Sequence, residues 1–438
     1  MSETTISQQT IDSLIEDLKN ARKRTLALVA GLDSQQLMGP QLDIVNPLLW
    51  EIGHVAYFHE LWTLRHLDGA QSLLENADEL YDSINIAHDE RWQLPLLSLQ
   101  DTRAYMQQVL EAEITRLKHD HVTEQDLYLT RYAVFHEDMH TEAFTYSRRT
   151  LNYPEPVFAE SVLEDDAYNA GPLEGDVEID GGHFLLGADK NTDFCFDNEK
   201  WQHPVMLEPF AIARAATSYQ QYAAFVDAGG YENPHYWHEE GWAWLQNNKL
   251  KMPDGWKKDA DGNWLIKQFN QWLAMRPHAA VIHINWYEAS AWCKWAGRRL
   301  PTEAEWELAA SGSPENINQK RKYPWGNEKP DATRVNMDSR AMRSIDVGAL
   351  PDGDSAYGCR QMLGNVWEWT ADTFQPYPGF VADMYQDYSQ PLFGQTKVLR
   401  GGAWATRSRM IRNSWRNYYG PERNDVFSGF RSCALELK

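Results

Sequence analysis

Phe135-His136-Glu137-Asp138-Met139-His140-Thr141-Glu142 is the stretch on which the reading of this chain turns. It lies in a segment, residues 126 to 151, that contains neither Pro nor Gly. A helix there places His136 and His140 on one face about one turn apart, so that both imidazoles reach a single ion. Two such histidines also suit a polar helix face, and a third is needed to turn the pair into a metal site. His54, in Trp50-Glu51-Ile52-Gly53-His54-Val55-Ala56-Tyr57-Phe58-His59-Glu60, falls on a strongly apolar earlier helix, where a buried polar side chain needs a reason.

The rest of the composition narrows the function classes. The 438 residues are enough for two or three domains, and 43% hydrophobic with 24% charged residues is the texture of a soluble globular protein. Lys and Arg number 41 against 63 Asp and Glu, a net charge of −22, which argues against nucleic acid and anionic lipid as partners. The N-terminus lacks a basic and apolar leader, and no run approaches the roughly 18 apolar residues of a membrane span, so a cytoplasmic location is expected. Cys195, Cys293, Cys359 and Cys433 lie far apart without a CxxC, as reduced thiols do.

Residues 1–152 read as helices. Ile11, Leu14, Ile15, Leu18, Leu26, Leu28 and Val29 keep helical spacing, Pro47 opens the His54 helix, and Asp101 is the expected N-cap of a helix burying Tyr105, Met106, Val109, Leu110 and Ile114. With the histidine-pair helix these suggest a four-helix bundle, in which metal sites arise from facing helices. Asn152-Tyr153-Pro154-Glu155-Pro156 stops the last helix, and residues 153–175 have the composition of a linker. Beyond it, from 176 to 438, short strand-like runs such as Val177-Glu178-Ile179 and Phe184-Leu185-Leu186 alternate with Gly/Asp turns, and most of the many Trp are expected to fill an irregular core. The fold class expected is α+β.

Several phrases in this half carry a resemblance: Asp180-Gly181-Gly182-His183-Phe184, Asn285-Trp286-Tyr287-Glu288-Ala289, Arg299-Leu300-Pro301-Thr302-Glu303-Ala304-Glu305-Trp306-Glu307, Tyr323-Pro324-Trp325-Gly326-Asn327, Gly364-Asn365-Val366-Trp367-Glu368-Trp369, Leu399-Arg400-Gly401-Gly402-Ala403-Trp404 and Gly429-Phe430-Arg431. In order, they resemble the formylglycine-generating-enzyme/sulfatase-modifying-factor domain, a C-type-lectin-like fold, over about 176 to 436. The resemblance implies a helix over Leu300 to Ala310 and a central strand and turn over Gly364 to Trp369. Those enzymes bind copper through two cysteines after the Arg-Gly-Gly motif. Thr406 and Ile411 stand at the matching positions here and offer no thiolate.

A histidine-bearing helical domain ahead of such a domain is similar to the nonheme-iron sulfoxide synthases of ergothioneine biosynthesis. In that family a DinB-like bundle supplies three histidines to Fe(II), from a Gly-His-Val and a His-Glu-x-x-His motif, here His54, His136 and His140. Three imidazoles leave half of an octahedral iron open for substrates and O2. DinB-like thiol transferases that bind zinc are the competing metal reading.

The co-substrate residues depart from the ergothioneine branch. Met139 replaces a Gln before the second histidine. In Arg416-Asn417-Tyr418-Tyr419-Gly420-Pro421-Glu422-Arg423, Tyr419 replaces the Asp whose carboxylate meets the amine of glutamyl-cysteine or cysteine. Together with Leu80-Tyr81-Asp82-Ser83 and Ala87-His88-Asp89-Glu90-Arg91-Trp92, this wording resembles the selenoneine-synthase branch, which joins hercynine to a selenosugar at C2 of the imidazole with O2; elimination from the selenoxide then gives selenoneine. By that resemblance Asn417 contacts hercynine, Tyr418 and Tyr419 wall the pocket, Arg91 and Arg423 are candidates for substrate contacts, and Tyr377 or Tyr419 is the proton donor. Glu142 is either a support of the metal site or an exposed salt-bridging residue. The alternatives are an ergothioneine-pathway sulfoxide synthase, and a sugar-binding protein with structural zinc.

Overall fold

The computed structural model describes residues 6–119, 121–158, 161 and 169–437. The chain forms two compact units, Met1–Ala159 and Glu160–Lys438. Part of the expected linker, residues 159–160 and 162–168, lies outside the described residues.

The first unit is helical: α1 (Gln8–Val29), α2 (Ser34–Met38), α3 (Leu48–His59), α4 (His66–Asp68), α5 (Ala77–Tyr81), α6 (Leu99–Leu117) and α7 (Glu124–Thr150). The long helices pack on one another, α1 and α3 on both α6 and α7. α1 starts where the Ser7 side chain accepts from Thr10 N, and it buries Ile11, Leu14, Ile15, Leu18, Leu28 and Val29 at helical spacing. α6 corrects the sequence expectation by one turn. Its N-cap is Ser98, whose Oγ accepts from Asp101 N, so Asp101 is the acidic third residue of the first turn. α7 opens with a reciprocal capping box between Thr123 and Asp126. α3 is buried almost all round and continues as a π-helical turn over Glu60–Arg65, a device frequent near functional sites.

The second unit holds β1 (Asp176–Ile179), β2 (Gly182–Leu186), β3 (His203–Leu207), β4 (Phe210–Ala213), α8 (Tyr219–Asp227), α9 (Glu239–Asn248), β5 (Trp256–Lys258), β6 (Trp264–Gln268), β7 (Gln271–Ala274), α10 (Trp286–Trp295), β8 (Arg298–Arg299), α11 (Glu303–Ser311), β9 (Trp367–Thr373), β10 (Lys397–Arg400), β11 (Arg416–Tyr419), β12 (Ser428–Gly429) and β13 (Cys433–Ala434). Its sheets run β1-β4-β13-β8, β11-β10-β9-β12, β2-β3 and β5-β6-β7. α11 begins three residues later than expected, because Thr302 caps it in a box with Glu305. The strand and turn expected over Gly364 to Trp369 are both present: Gly364 and Asn365 turn with positive φ, and the strand starts at Trp367.

Most of the motif phrases meet in buried ion pairs. Glu303 accepts from Arg400 at 2.6 Å and from Arg416 at 2.6 and 3.1 Å; Glu368 accepts from Arg431 at 2.6 and 2.8 Å. Burial alone would raise the Glu307 carboxyl, but the charges of Lys320 and Arg400 bring it down to about 2. Such pairs fix partners far apart in sequence, and breaking one leaves a buried charge uncompensated. Among the described residues no helix is long and apolar enough to cross a membrane.

Candidate metal centre

His54 on α3 and His136 and His140 on α7 converge within the first unit. Each presents a ring nitrogen, and the three atoms lie within 4.8 Å of one another. Ring centroids are separated by 5.2 Å (His54 to His136), 5.0 Å (His54 to His140) and 4.5 Å (His136 to His140).

The surroundings orient the rings. His54 Nδ1 lies 2.8 Å from the Tyr81 carbonyl oxygen. A carbonyl only accepts, so Nδ1 carries the proton and Nε2 is left as the donor to an ion. Trp50, one turn earlier on α3, stacks on His54 at 4.8 Å and 8° and donates its Nε1–H to the Leu80 carbonyl at 2.7 Å. Adjacent peptides at the end of α5 thus hold both rings of the stacked pair. The approach requires Gly53: a Cβ there would stand 2.2 Å from Tyr81 Cε1. Phe58 stacks on His136 at 3.6 Å and 8°.

Electrostatics keep the pocket ready for a cation. Burial, followed by the charge of His140, holds His54 well below its ordinary value; burial, then His140 and His54, does the same for His136. Neutral imidazole is the form that ligates a metal. The donor set, three imidazoles and no thiolate, suits iron or zinc.

Glu137 occupies the place that the general base holds in His-Glu-x-x-His zinc proteases. Here its carboxylate is committed elsewhere, accepting from Arg22 Nε at 3.0 Å and Thr25 Oγ1 at 2.6 Å on α1 and facing His59 Nε2 at 3.2 Å on α3. It ties the helices together behind the pocket.

The other sequence candidates divide between the units. Met139 is half-buried between the two α7 histidines, and Glu142 is 8% exposed, which excludes the exposed alternative. Arg91 stacks over Trp50 at 4.1 Å and donates to Asn46 Oδ1 at 2.8 Å and to the Ser83 and Ile86 carbonyls. In the second unit, Asn417, Tyr418 and Tyr419 are half-buried on β11. The Tyr418 ring stacks on Phe374 at 4.0 Å, and the Arg423 guanidinium lies 5.2 Å from the Tyr419 centroid while bonded twice to Asp425. Tyr377 is 6% exposed, donates to Glu303 at 3.1 Å under the Arg416 guanidinium, and is raised well above its ordinary value, chiefly by burial. Sequence reasoning missed Tyr81, Phe58 and Glu51. Of these only Glu51 left a signal, a carboxylate one turn before His54 on an apolar helix.

Known proteins supply the remaining comparison. The family model for the sulfatase-modifying factor enzyme 1-like domain matches residues 162–436, and that for the DinB superfamily matches residues 17–144. The chain is 36% identical to a hercynine oxygenase of Mycolicibacterium smegmatis over 430 residues, covering 96% of this chain and 98% of that one. Identity to a hercynine oxygenase of Mycobacterium tuberculosis is 37% over 418 residues, covering 94% and 96%. A formylglycine-generating enzyme of Thermomonospora curvata matches at 32% over 306 residues, 60% of this chain and 94% of that enzyme.

Proposed function

This chain belongs to the hercynine oxygenase family, and we propose that it joins a chalcogen to C2 of the hercynine imidazole in an O2-dependent step, using Fe(II) held by His54, His136 and His140. The observation that carries the reading is the convergence of three imidazoles, two of them buried and held neutral and the third half-buried, in a chain similar to hercynine oxygenases over nearly its whole length. When bound, ferrous iron supplies open coordination positions for substrates and O2 together with the redox chemistry. The protein supplies orientation: the Tyr81 carbonyl selects the His54 tautomer, and Trp50 and Phe58 hold two rings by their faces.

The co-substrate we propose is a selenosugar. Tyr419 replaces the carboxylate that would pair with an amino-acid ammonium, while Asp425 is buried and bonded to Arg423. A substrate ammonium left without its partner loses about 2 to 4 kcal/mol. A sugar carries no ammonium, and a tyrosine offers it a flat face and a hydroxyl. Asn417, Tyr418, Tyr419, Arg423, Arg91 and Met139 are proposed for the substrates, and Tyr419 or Tyr377 for proton donation. A cytoplasmic location is proposed too, supported by four buried cysteines, all free.

The test offers Fe(II)-loaded protein hercynine, O2 and a selenosugar, its thiosugar counterpart or glutamyl-cysteine, with products followed by mass spectrometry. Faster turnover with glutamyl-cysteine would make this an ergothioneine-pathway sulfoxide synthase and overturn the Tyr419 argument. Tyr419→Asp gaining activity toward the peptide would support it. A protein that holds only zinc and stays inert toward hercynine after anaerobic Fe(II) loading would leave the sugar-binding reading.

A further inference from the structure

The three ligand histidines differ in what holds them from behind. The Tyr81 carbonyl fixes His54, a backbone feature that tolerates many side chains. Facing His140 is a side chain: its Nδ1, buried and without a hydrogen bond among the described residues, lies 3.4 Å from Oε1 of Glu51. Glu51 is on α3, three residues before His54, and is 3% exposed. Its Oε1 accepts from Asn46 Nδ2 at 3.2 Å, whereas Oε2 is buried and has no hydrogen-bond partner among the described residues. Asn46 Oδ1 in turn accepts from Arg91, the residue stacked on Trp50 and so, through it, on His54.

We propose that Glu51 is the positioning residue of His140, holding its Nδ1–H so that Nε2 is turned to the metal, and that Asn46 and Arg91 hold Glu51 in place. The inference rests on the reading of the triad as a metal site. An imidazole whose outer N–H meets a carboxylate is fixed in tautomer and angle and is a stronger donor at its other nitrogen. The unsatisfied Oε2 fits the same assignment. A buried carboxylate oxygen without a donor is unfavourable, and a dication held by the adjoining imidazoles would offset that by its field. Glu51 therefore lies beside the α3–α7 site without being one of its ligands, since the donor atoms that converge are the three ring nitrogens.

The experiment titrates metal-free full-length protein with Co(II), followed by its visible absorption, which reports coordination geometry independently of turnover. Glu51→Ala should weaken Co(II) binding about 10- to 100-fold and alter the spectrum, as loss of an outer partner does; Glu51→Gln, which keeps an acceptor oxygen without the charge, should fall between it and the parent. Asn46→Ala should weaken binding by less, and adding it to Glu51→Ala should cost nothing further, because both act through one contact. Far-UV circular dichroism checks that each variant is folded; if Glu51→Ala is not, Glu51→Gln and Asn46→Ala decide the matter. Parent-like affinity and spectrum in the folded Glu51 variants would overturn the proposal while leaving the metal reading intact. A parent protein that takes up no Co(II) would overturn both.

Discussion

His54 and His59 sit five residues apart on α3, both buried, and their surroundings drive them in opposite directions. Burial, with the nearby His140, holds His54 well below its ordinary value. Burial pushes His59 the same way, yet the Glu113 and Glu137 carboxylates, 2.9 and 3.2 Å from its two nitrogens, outweigh it and raise His59 to about 9. α7 repeats the contrast in adjacent residues: His136 is held neutral, while Glu137, despite burial, is kept well below the usual carboxylate range by Arg22 and His59. Burial does not by itself decide the charge of an imidazole; the presence of a carboxylate does. One pair of helices thus carries a histidine cluster with two members held neutral and an ionic cluster that locks the helices.

Removing a member of the histidine cluster should produce the largest effect on activity. His54→Ala, His136→Ala and His140→Ala should each abolish turnover and strip metal, a loss beyond the roughly 100-fold expected of an outer partner, while far-UV circular dichroism shows the metal-free proteins still folded. Full activity in any of the three would move the site elsewhere and dissolve the contrast.

Glu137→Ala should do the reverse, leaving His59 and Arg22 as buried charges without their shared acceptor. The expected cost is about 3 to 5 kcal/mol by urea denaturation. If Glu137 were instead a general base at the metal, stability would hardly change and activity alone would fall.

How far such roles were legible beforehand depended on the range of the cause. The triad could be read because His136 and His140 obey helical spacing within one segment and His54 is out of place on an apolar helix. The Tyr81 carbonyl is backbone and leaves no residue signature, and the notch at Gly53 makes sense only once α5 lies against α3. Glu303, Arg400, Glu368 and Arg431 were visible as a family pattern, but that they pair with one another across 97 and 63 residues of chain is a fact of the fold. The misplaced N-cap of α6 had a local cause: Ser98 and Asp101 bond reciprocally, and the acidic partner resembles the cap.

Raising the pH should sharpen the contrast further. A histidine raised from 6.5 to about 9 contributes stability that is complete below 6.5 and lost as pH climbs through 9, in all about 3 kcal/mol. His54 and His136, being lowered, act with the opposite sign: their contribution is present above 6.5 and is lost as pH falls toward their folded values. Metal-free protein should therefore lose stability on both sides of neutrality, and His59→Ala should flatten the alkaline side only. An alkaline limb unchanged in that variant would detach His59 from the ionic cluster.

Gly53→Ala probes the smallest effect, the backbone support of the histidine cluster. Alanine favours the helix over glycine by about 1 kcal/mol, but its Cβ would lie 2.2 Å from the Tyr81 ring, and overpacking of that kind costs about 1 to 3 kcal/mol. The net cost is about 0 to 2 kcal/mol, read as a lower urea midpoint. The ring cannot retreat without carrying its own peptide, and the carbonyls that hold Trp50 and His54 belong to Leu80 and Tyr81. Co(II) affinity should therefore drop about tenfold, as when an outer partner of a ligand is displaced. Adding Tyr81→Leu opens room for the methyl group and leaves the carbonyl in the chain, so the double variant should recover much of the affinity. Affinity that falls in Gly53→Ala and stays low in the double variant would mean that the Tyr81 ring, and not its carbonyl, holds His54 in place.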